Sequence, residues 1–326
     1  MICGLKQDLL AASTEILSKL DHVQVPTFLN SLINDKSAPA TNGGKITTYL
    51  PHANANSFSR LSIFIIPKES SRINCPLRPE LISKFVSEII TAANTGDNVY
   101  TGIRFLFILP KLDKIDYEQA VYTLGGCLGK GCPTYTRKSA VKENIVVQCS
   151  FVKLVDEKVV EVNDESILYR ANVINTAIRR AANIIDQPCS EFHSQAFGTY
   201  AAKIVEELQE NPDVKGQVTL EKYTVGTDLE KEGFGGIYGV GKAAAHPPCL
   251  VVLKYEPEKF TETVAWVGKG IVYDTGLFLF LFCLKLLVTK NRWLNSQESY
   301  EHHEAGYGWS WCNCGSFPCY LLDWVL

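Results

Sequence analysis

The chain has 326 residues, 46% of them apolar and 21% charged, with a formal net charge of −3. That length leaves room for two ordinary domains, each with its own core, and the mildly acidic balance excludes the basic footprint of a nucleic-acid binder. Eleven cysteines at irregular spacing follow a start with no basic segment leading into an apolar one; this predicts reduced thiols in the cytoplasm rather than an exported disulfide framework.

The first 160 residues alternate strand-like and helix-like segments. Three β-branched and aromatic runs bounded by turn residues read as strands: Ser59 to Pro67, Ile103 to Pro110 and Asn144 to Val155. Between them, Pro79 to Gly96 places Leu81, Phe85, Ile89 and Ala92 on one helical face and stops at a glycine. Asp116 to Gly129 reads as another helix. The alternation predicts an α/β domain with at least part of its sheet parallel.

Glu165 to Asp186 is a long amphipathic helix, placed by its position between two domains. A second helix is expected from Ser190 to Glu210, opened by a Ser190 N-cap. Then come the strand "QVTLEKYT", the short helix "TDLEKEG" and the glycine-rich "GFGGIYGVGKAA". Cys249 to Tyr255 and Thr263 to Asp274 read as continuous apolar strands, the pattern of a parallel sheet covered on both faces. Leu277 to Val288 is an apolar run of about a dozen residues containing Lys285, short of the roughly 20 that span a bilayer, so no membrane partner is expected.

Three motifs invite a chemical reading. "GIYGVGKA" (Gly236 to Ala243) is a near miss for a phosphate-binding loop. Ala243 stands where a hydroxyl would hold magnesium, and no convincing strand precedes it, so a tight glycine turn is the better reading. "CLGKGC" (Cys127 to Cys132) has no second cysteine pair and no histidine at zinc spacing, which leaves two buried thiols near a turn. His193 and His246 are isolated in sequence and read as hydrogen-bonded structural residues. "VGKGIVYDTG" differs: a strand carries Lys269 and Asp274 to its C-terminal end, where parallel sheets place their sites. A carboxylate there can bridge two hard cations, and a lysine beside them is pushed towards the neutral amine that can act as a ligand.

Taken in order, "RAANIIDQPCSEFHS", "GFGGIYGVGKAAAHPPCLVVLKYEP" and "WVGKGIVYDTG" resemble the leucyl aminopeptidase (cytosol aminopeptidase) family, and within it the aminopeptidase-like branch. The resemblance runs from about Arg170 to Gly276 and is weaker before it. It implies a non-catalytic α/β domain over residues 1–160, the first part of an α/β metallopeptidase catalytic domain over 161–276, and an aberrant tail over 277–326. The function implied is a cytoplasmic, hexameric metalloaminopeptidase that releases N-terminal residues from peptides. Two divalent cations, zinc or manganese, would bind the substrate's free α-amine, polarise the scissile carbonyl and lower the pKa of a bridging water. By resemblance Lys269 matches the family's lysine ligand and Asp274 its bridging aspartate.

The family pattern then breaks. After Gly276 the expected D-[TS]-G-G-[LI]-x-x-K, R-x-D-x-G-G and N-T-D-A-E-G-R segments are not readable. A two-metal site lacking at least three carboxylates does not hold its ions, so no catalytic residue is retained and the chain is expected to be inactive.

The genetic code accounts for the break. Of the five tryptophans, Trp293, Trp309, Trp311 and Trp324 follow Gly276, as do Cys283, Cys312, Cys314 and Cys319. Shifting His302 to Phe317 forward by one nucleotide permits Ile-Met-Lys-Arg-Asp-Met-Gly-Gly-Ala-Gly-Ala-Ile-Val-Gly-Ala-Phe. Trp309 and Trp311 have only one codon, so both are forced to glycine, and the Gly306 codon overlaps the missing aspartate. An intron beginning inside the Gly276 codon and ending inside the Arg292 codon would be about 49 nucleotides long, one more than a multiple of three. Its removal rejoins Asp-Thr-Gly-Gly-Leu in frame. A small zinc site built from His302, His303, Cys312, Cys314 and Cys319 is the rival reading; its spacing is irregular, and the frame shift explains the same residues without a metal. The alternative function is a non-catalytic isoform acting as a binding or dominant-negative subunit.

Overall fold

The structure is a computed structural model. It describes residues 1–18, 30–31, 33, 43–51, 58–94, 102–112, 115–134, 145–156, 158–268 and 270–272. Lys269, Asp274 and the tail over 277–326 lie outside the described residues. The chain forms two compact units, Met1–Asp186 and the residues from Gln187 onward.

The first unit is built on a six-stranded sheet. Its strands are β1 (Ile2–Leu5), β2 (Gly44–Pro51), β3 (Phe58–Ile66), β4 (Gly102–Leu109), β5 (Val146–Val155) and β6 (Lys158–Glu161), in the spatial order β2-β3-β1-β4-β5-β6. The central four strands are parallel, while β2 and β6 close the two edges antiparallel. Central strands buried on both faces need apolar residues at consecutive positions. Ile63, Phe64, Ile65 and Ile66 of β3 are all buried, and alternate residues serve opposite cores.

One core gathers Phe64, Phe105, Phe107 and Phe151 beneath three helices: α2 (Pro79–Asn94), α3 (Tyr117–Gly131) and α4 (Glu165–Ile185). Phe107 stacks on Phe151 at 5.7 Å and Phe64 on Phe85 of α2 at 5.1 Å. The opposite core sets Leu9 and Ala12 of α1 (Lys6–Ser18) against Ile63, Ile65 and Ile108. The layers are therefore helix, sheet, helix. The buried face of α2 runs through Ile82, Phe85, Val86 and Ile89, turned slightly from the Leu81-centred stripe, with Leu81 half-buried at its margin.

The N-termini of α3 and α4 are closed by aspartates. Asp116 accepts from the Gln119 N–H at 2.7 Å, and Asp164 from those of Ser166 and Ile167 at 2.9 and 3.2 Å. Each such cap supplies roughly 1 kcal/mol. The two helices approach closely because α3 carries glycines on the facing side. A Cβ at Gly125 would stand 2.7 Å from the Ala171 carbonyl oxygen, and one at Gly129 2.8 Å from that of Asn175. Asn175 in turn donates to the Gly125 carbonyl at 3.2 Å. This packing makes α4 part of the first unit. The unit closes at Asp186, after the helix.

The second unit contains α5 (Ser194–Gln209), β7 (Gln217–Val225), α6 (Thr227–Lys231), α7 (Gly235–Gly241) and β8 (Cys249–Glu256). Phe197 and Ala201 of α5 pack on Cys249 and Val251 of β8. A Cβ at Gly198 would fall on the Tyr223 ring, so glycine there lets the helix lie against β7. Two expectations are corrected. β8 pairs with β7 in antiparallel register, from Gln217↔Glu256 to Val225↔Cys249, rather than in a parallel sheet. Described residues within 263–272 belong to no strand: Val264 is 69% and Val267 87% exposed. A doubly buried strand needs neighbours on both edges and covers on both faces, and none is present among the described residues.

Candidate functional site

The second unit holds the sequence's chemical candidates, and two of them meet at the first turn of α5. Here the expected Ser190 cap is corrected. Pro188 accepts the backbone N–H groups of Glu191 and Phe192, both at 2.9 Å, which completes a separate turn before the helix. The cap falls to His193, whose Nδ1 accepts from the Ala196 N–H at 3.4 Å. The Ser194 hydroxyl donates to the Pro247 carbonyl at 2.6 Å, and the Cys249 thiol donates to the Ser194 carbonyl at 3.1 Å. His193 and His246, isolated in sequence, lie face to face with centroids 3.5 Å apart and planes 3° from parallel.

This arrangement is structural in chemical character. Face-to-face rings direct their in-plane lone pairs side by side rather than towards one point, so the pair as placed does not chelate an ion. Burial pushes the Cys249 thiol up to about 11, which keeps it protonated and poorly nucleophilic at neutral pH. Among the described residues, no three His, Cys, Asp or Glu side chains gather where they could hold a metal.

The other motifs resolve similarly. "GIYGVGKA" folds mainly into α7, a seven-residue helix, instead of a phosphate-cradling loop. Gly241 at its end is needed for a close approach, since a Cβ there would sit 2.5 Å from Pro248. A shallow depression lined by Tyr223, Thr224, Val225, Asp228, Lys231 and Glu232 lies beside α6. Its lysine–carboxylate pairs, Lys231–Asp228 and Lys222–Glu232, both at 2.7 Å, are exposed and contribute little to stability. In the first unit Cys127 is buried within α3 and Cys132 caps its C-terminus half-buried; burial pushes Cys127 up to about 12.

The chain leaves β8 at Glu256 and runs through Pro257 and Phe260 towards "WVGKGIVYDTG". Trp266, Val267 and Gly268 are described up to the position of Lys269, and Gly270, Ile271 and Val272 beyond it. Lys269 and Asp274 themselves are outside, so their geometry is not described.

Residues 179–279 match the catalytic domain of the cytosol aminopeptidase family. The match takes in α5 through β8, Lys269 and Asp274, and ends just past Gly276. A probable aminopeptidase NPEPL1 of Homo sapiens is 38% identical over 164 residues, 49% of this chain and 29% of the relative. Leucine aminopeptidase 1 of Caenorhabditis elegans is 32% identical over 219 residues, 66% of this chain and 38% of the relative. The chain thus spans well under half the length of these two relatives.

Solved leucine aminopeptidase structures agree on the fold. The Caenorhabditis elegans leucine aminopeptidase (LAP1) superposes with a TM-score of 0.61 at 25% identity, covering 84% of this chain and 49% of that one. A Leishmania major leucyl aminopeptidase in complex with actinonin gives 0.62 at 21% identity, covering 84% and 48%. The α/β character expected for both parts of the chain is therefore present. Among the described residues, no helix is long and apolar enough to cross a membrane.

Proposed function

We propose that this chain comes from a two-metal aminopeptidase that releases N-terminal residues from peptides, and that the chain itself, ending as it does in the 277–326 tail, does not catalyse that reaction. The observation that carries the reading is the segment Gly268-Lys269-Gly270 followed by Asp274-Thr275-Gly276, at the end of the family-matched span. On it Lys269 would supply an amine ligand and Asp274 a carboxylate ligand to two divalent cations, zinc or manganese, which would activate a water for attack on the peptide carbonyl. The whole protein would act in the cytoplasm as a hexamer. The domain assignment that goes with this reading is a non-catalytic part over 1–160, a partial catalytic part over 161–276 and an out-of-frame tail over 277–326.

The residues of this chain do not fit that pair of ions. One lysine and one aspartate supply too few donors and too little negative charge, and the tail does not spell the family's later carboxylates. No other group of three acidic, thiol or imidazole side chains stands ready among the described residues. No reaction step is assigned to this chain for that reason.

The test is direct. The purified chain, supplied with zinc or manganese, is expected to leave a leucyl substrate intact. Turnover that Asp274→Ala abolishes would overturn the inactivity and leave Asp274 as its ligand.

A second reading rests on the first unit. Its six-stranded sheet is covered on both faces by helices, and residues 1–186, α4 included, form one packed body. Such a body suits a non-catalytic isoform that binds partners or poisons an oligomer of active subunits. Transcript sequences that join the Gly276 and Arg292 codons directly favour the spliced enzyme; transcripts that retain the intervening segment favour the isoform.

A further inference from the structure

The junction between α5 and the 246–249 segment contains a feature that neither the family reading nor the metal site uses. We propose that the His193–His246 stack is a proton-sensitive latch, holding the first turn of α5 to the segment that leads into β8 while both rings are neutral.

The geometry supplies each step. His193 accepts the Ala196 N–H at Nδ1, so its ring is the neutral tautomer with its proton on Nε2. A second proton occupies that lone pair and removes the cap. It also places a positive charge at the helix N-terminus, where the backbone dipoles are already positive. The His246 ring lies 3.5 Å away and nearly parallel, so a charge on both rings is opposed across the stack. Ser194 donating to Pro247 and Cys249 donating to Ser194 bind the same turn to the same segment. Neither depends on the imidazole proton, so the latch loosens without dissolving the fold.

On the strands packed against α5, Cys249 of β8 and Tyr223 of β7 stand against the helix, and burial holds both protonated; the same strands also carry Glu221, Lys222, Lys254, Tyr255 and Glu256. Nearest in sequence to the two rings are Glu191, before His193, and Lys242, before His246.

Hydrogen exchange on the full chain at pH 7.5 and 5.5, with each rate divided by its intrinsic chemical rate, tests the latch. Protection of the peptide spanning Ala196 to Tyr200 is expected to fall about five- to tenfold at the lower pH, the worth of a lost cap. In His193→Asn the fall should vanish, because asparagine caps a helix without titrating. His246→Phe keeps a ring face without a charge and should show a smaller fall than the wild type. The proposal is overturned if His193→Asn loses protection as the wild type does, if the wild type loses none, or if the α3 peptide loses as much.

Discussion

Replacing Gly125 by alanine tests the contact that binds α4 to the first unit. In an exposed helix the change would stabilise by up to about 1 kcal/mol through helix propensity. Here the new Cβ would lie 2.7 Å from the Ala171 carbonyl oxygen and 3.2 Å from the Ala171 Cβ. The nearest neighbour is backbone, so no side-chain rotation relieves it, and the helices must separate by a few tenths of an ångström. Overpacking of this kind costs about 1–3 kcal/mol, and strain on the Asn175–Gly125 hydrogen bond adds to it. The net expectation is a loss of about 1–2 kcal/mol after the propensity gain is subtracted. Gly129→Ala meets the Asn175 oxygen at 2.8 Å on the same interface. One separation relieves both clashes, so the double variant should lose less than the sum of the singles. Ala171→Gly removes only the 3.2 Å neighbour and should not rescue Gly125→Ala. Urea unfolding followed by far-ultraviolet circular dichroism reads all four variants. A Gly125→Ala chain as stable as the wild type, or one fully rescued by Ala171→Gly, would refute the close backbone approach.

Gly239→Ala in α7, where an added Cβ meets nothing within 4 Å, should be neutral or stabilising by up to about 1 kcal/mol in the same assay. Burial raises the Cys127 and Cys149 thiols from the usual 9.0 to about 12. Folding therefore favours their protonated forms: that stability is intact below about pH 9 and is lost as pH rises towards 12, so the urea midpoint should fall over that range and fall less in Cys127→Ala. Deleting about 49 nucleotides between the Gly276 and Arg292 codons should restore one open frame carrying Thr-Gly-Gly-Leu and then Lys-Arg-Asp-Met-Gly-Gly; an early stop after the junction in the gene would refute the frame argument.

Much of the first unit was legible because its signals are local. Phe58–Ile66 and Gly102–Leu109 are dense in β-branched and aromatic residues and lie between turn residues, and both form strands at the expected places. The periodic stretches at 79–94 and 165–185 form helices within a residue or two of their readings. β1 escaped notice because four residues give no period, and its strand character comes from pairing with β3 and β4 on either side. β2 did carry a signal, with Ile46, Thr48 and Leu50 alternating inward, but its run of threonines lacks the apolar density of a central strand. The His193 cap was not legible either. Ser190 has the better intrinsic preference, and only the Pro188-centred turn excludes it.

The second unit shows where local signals stop deciding. Cys249 to Tyr255 and Thr263 to Asp274 read alike, as apolar runs of strand length, yet among the described residues only the first becomes a strand. The difference is in what each can pair with. β8 finds β7 along its whole length, and α5 covers Cys249 and Val251. The later run would need partners and covers supplied by residues beyond Gly276, where the family match ends. Strand propensity describes fitness for a half-buried pleated surface and cannot create one, so exposed Val264 and Val267 keep the composition of a strand without the ladder. The same dependence reaches the chemistry. A metal-ligand set assembled from separate segments is only as complete as its last segment. A local motif as specific as Gly-Lys-Gly…Asp-Thr-Gly can therefore carry a resemblance without carrying a site.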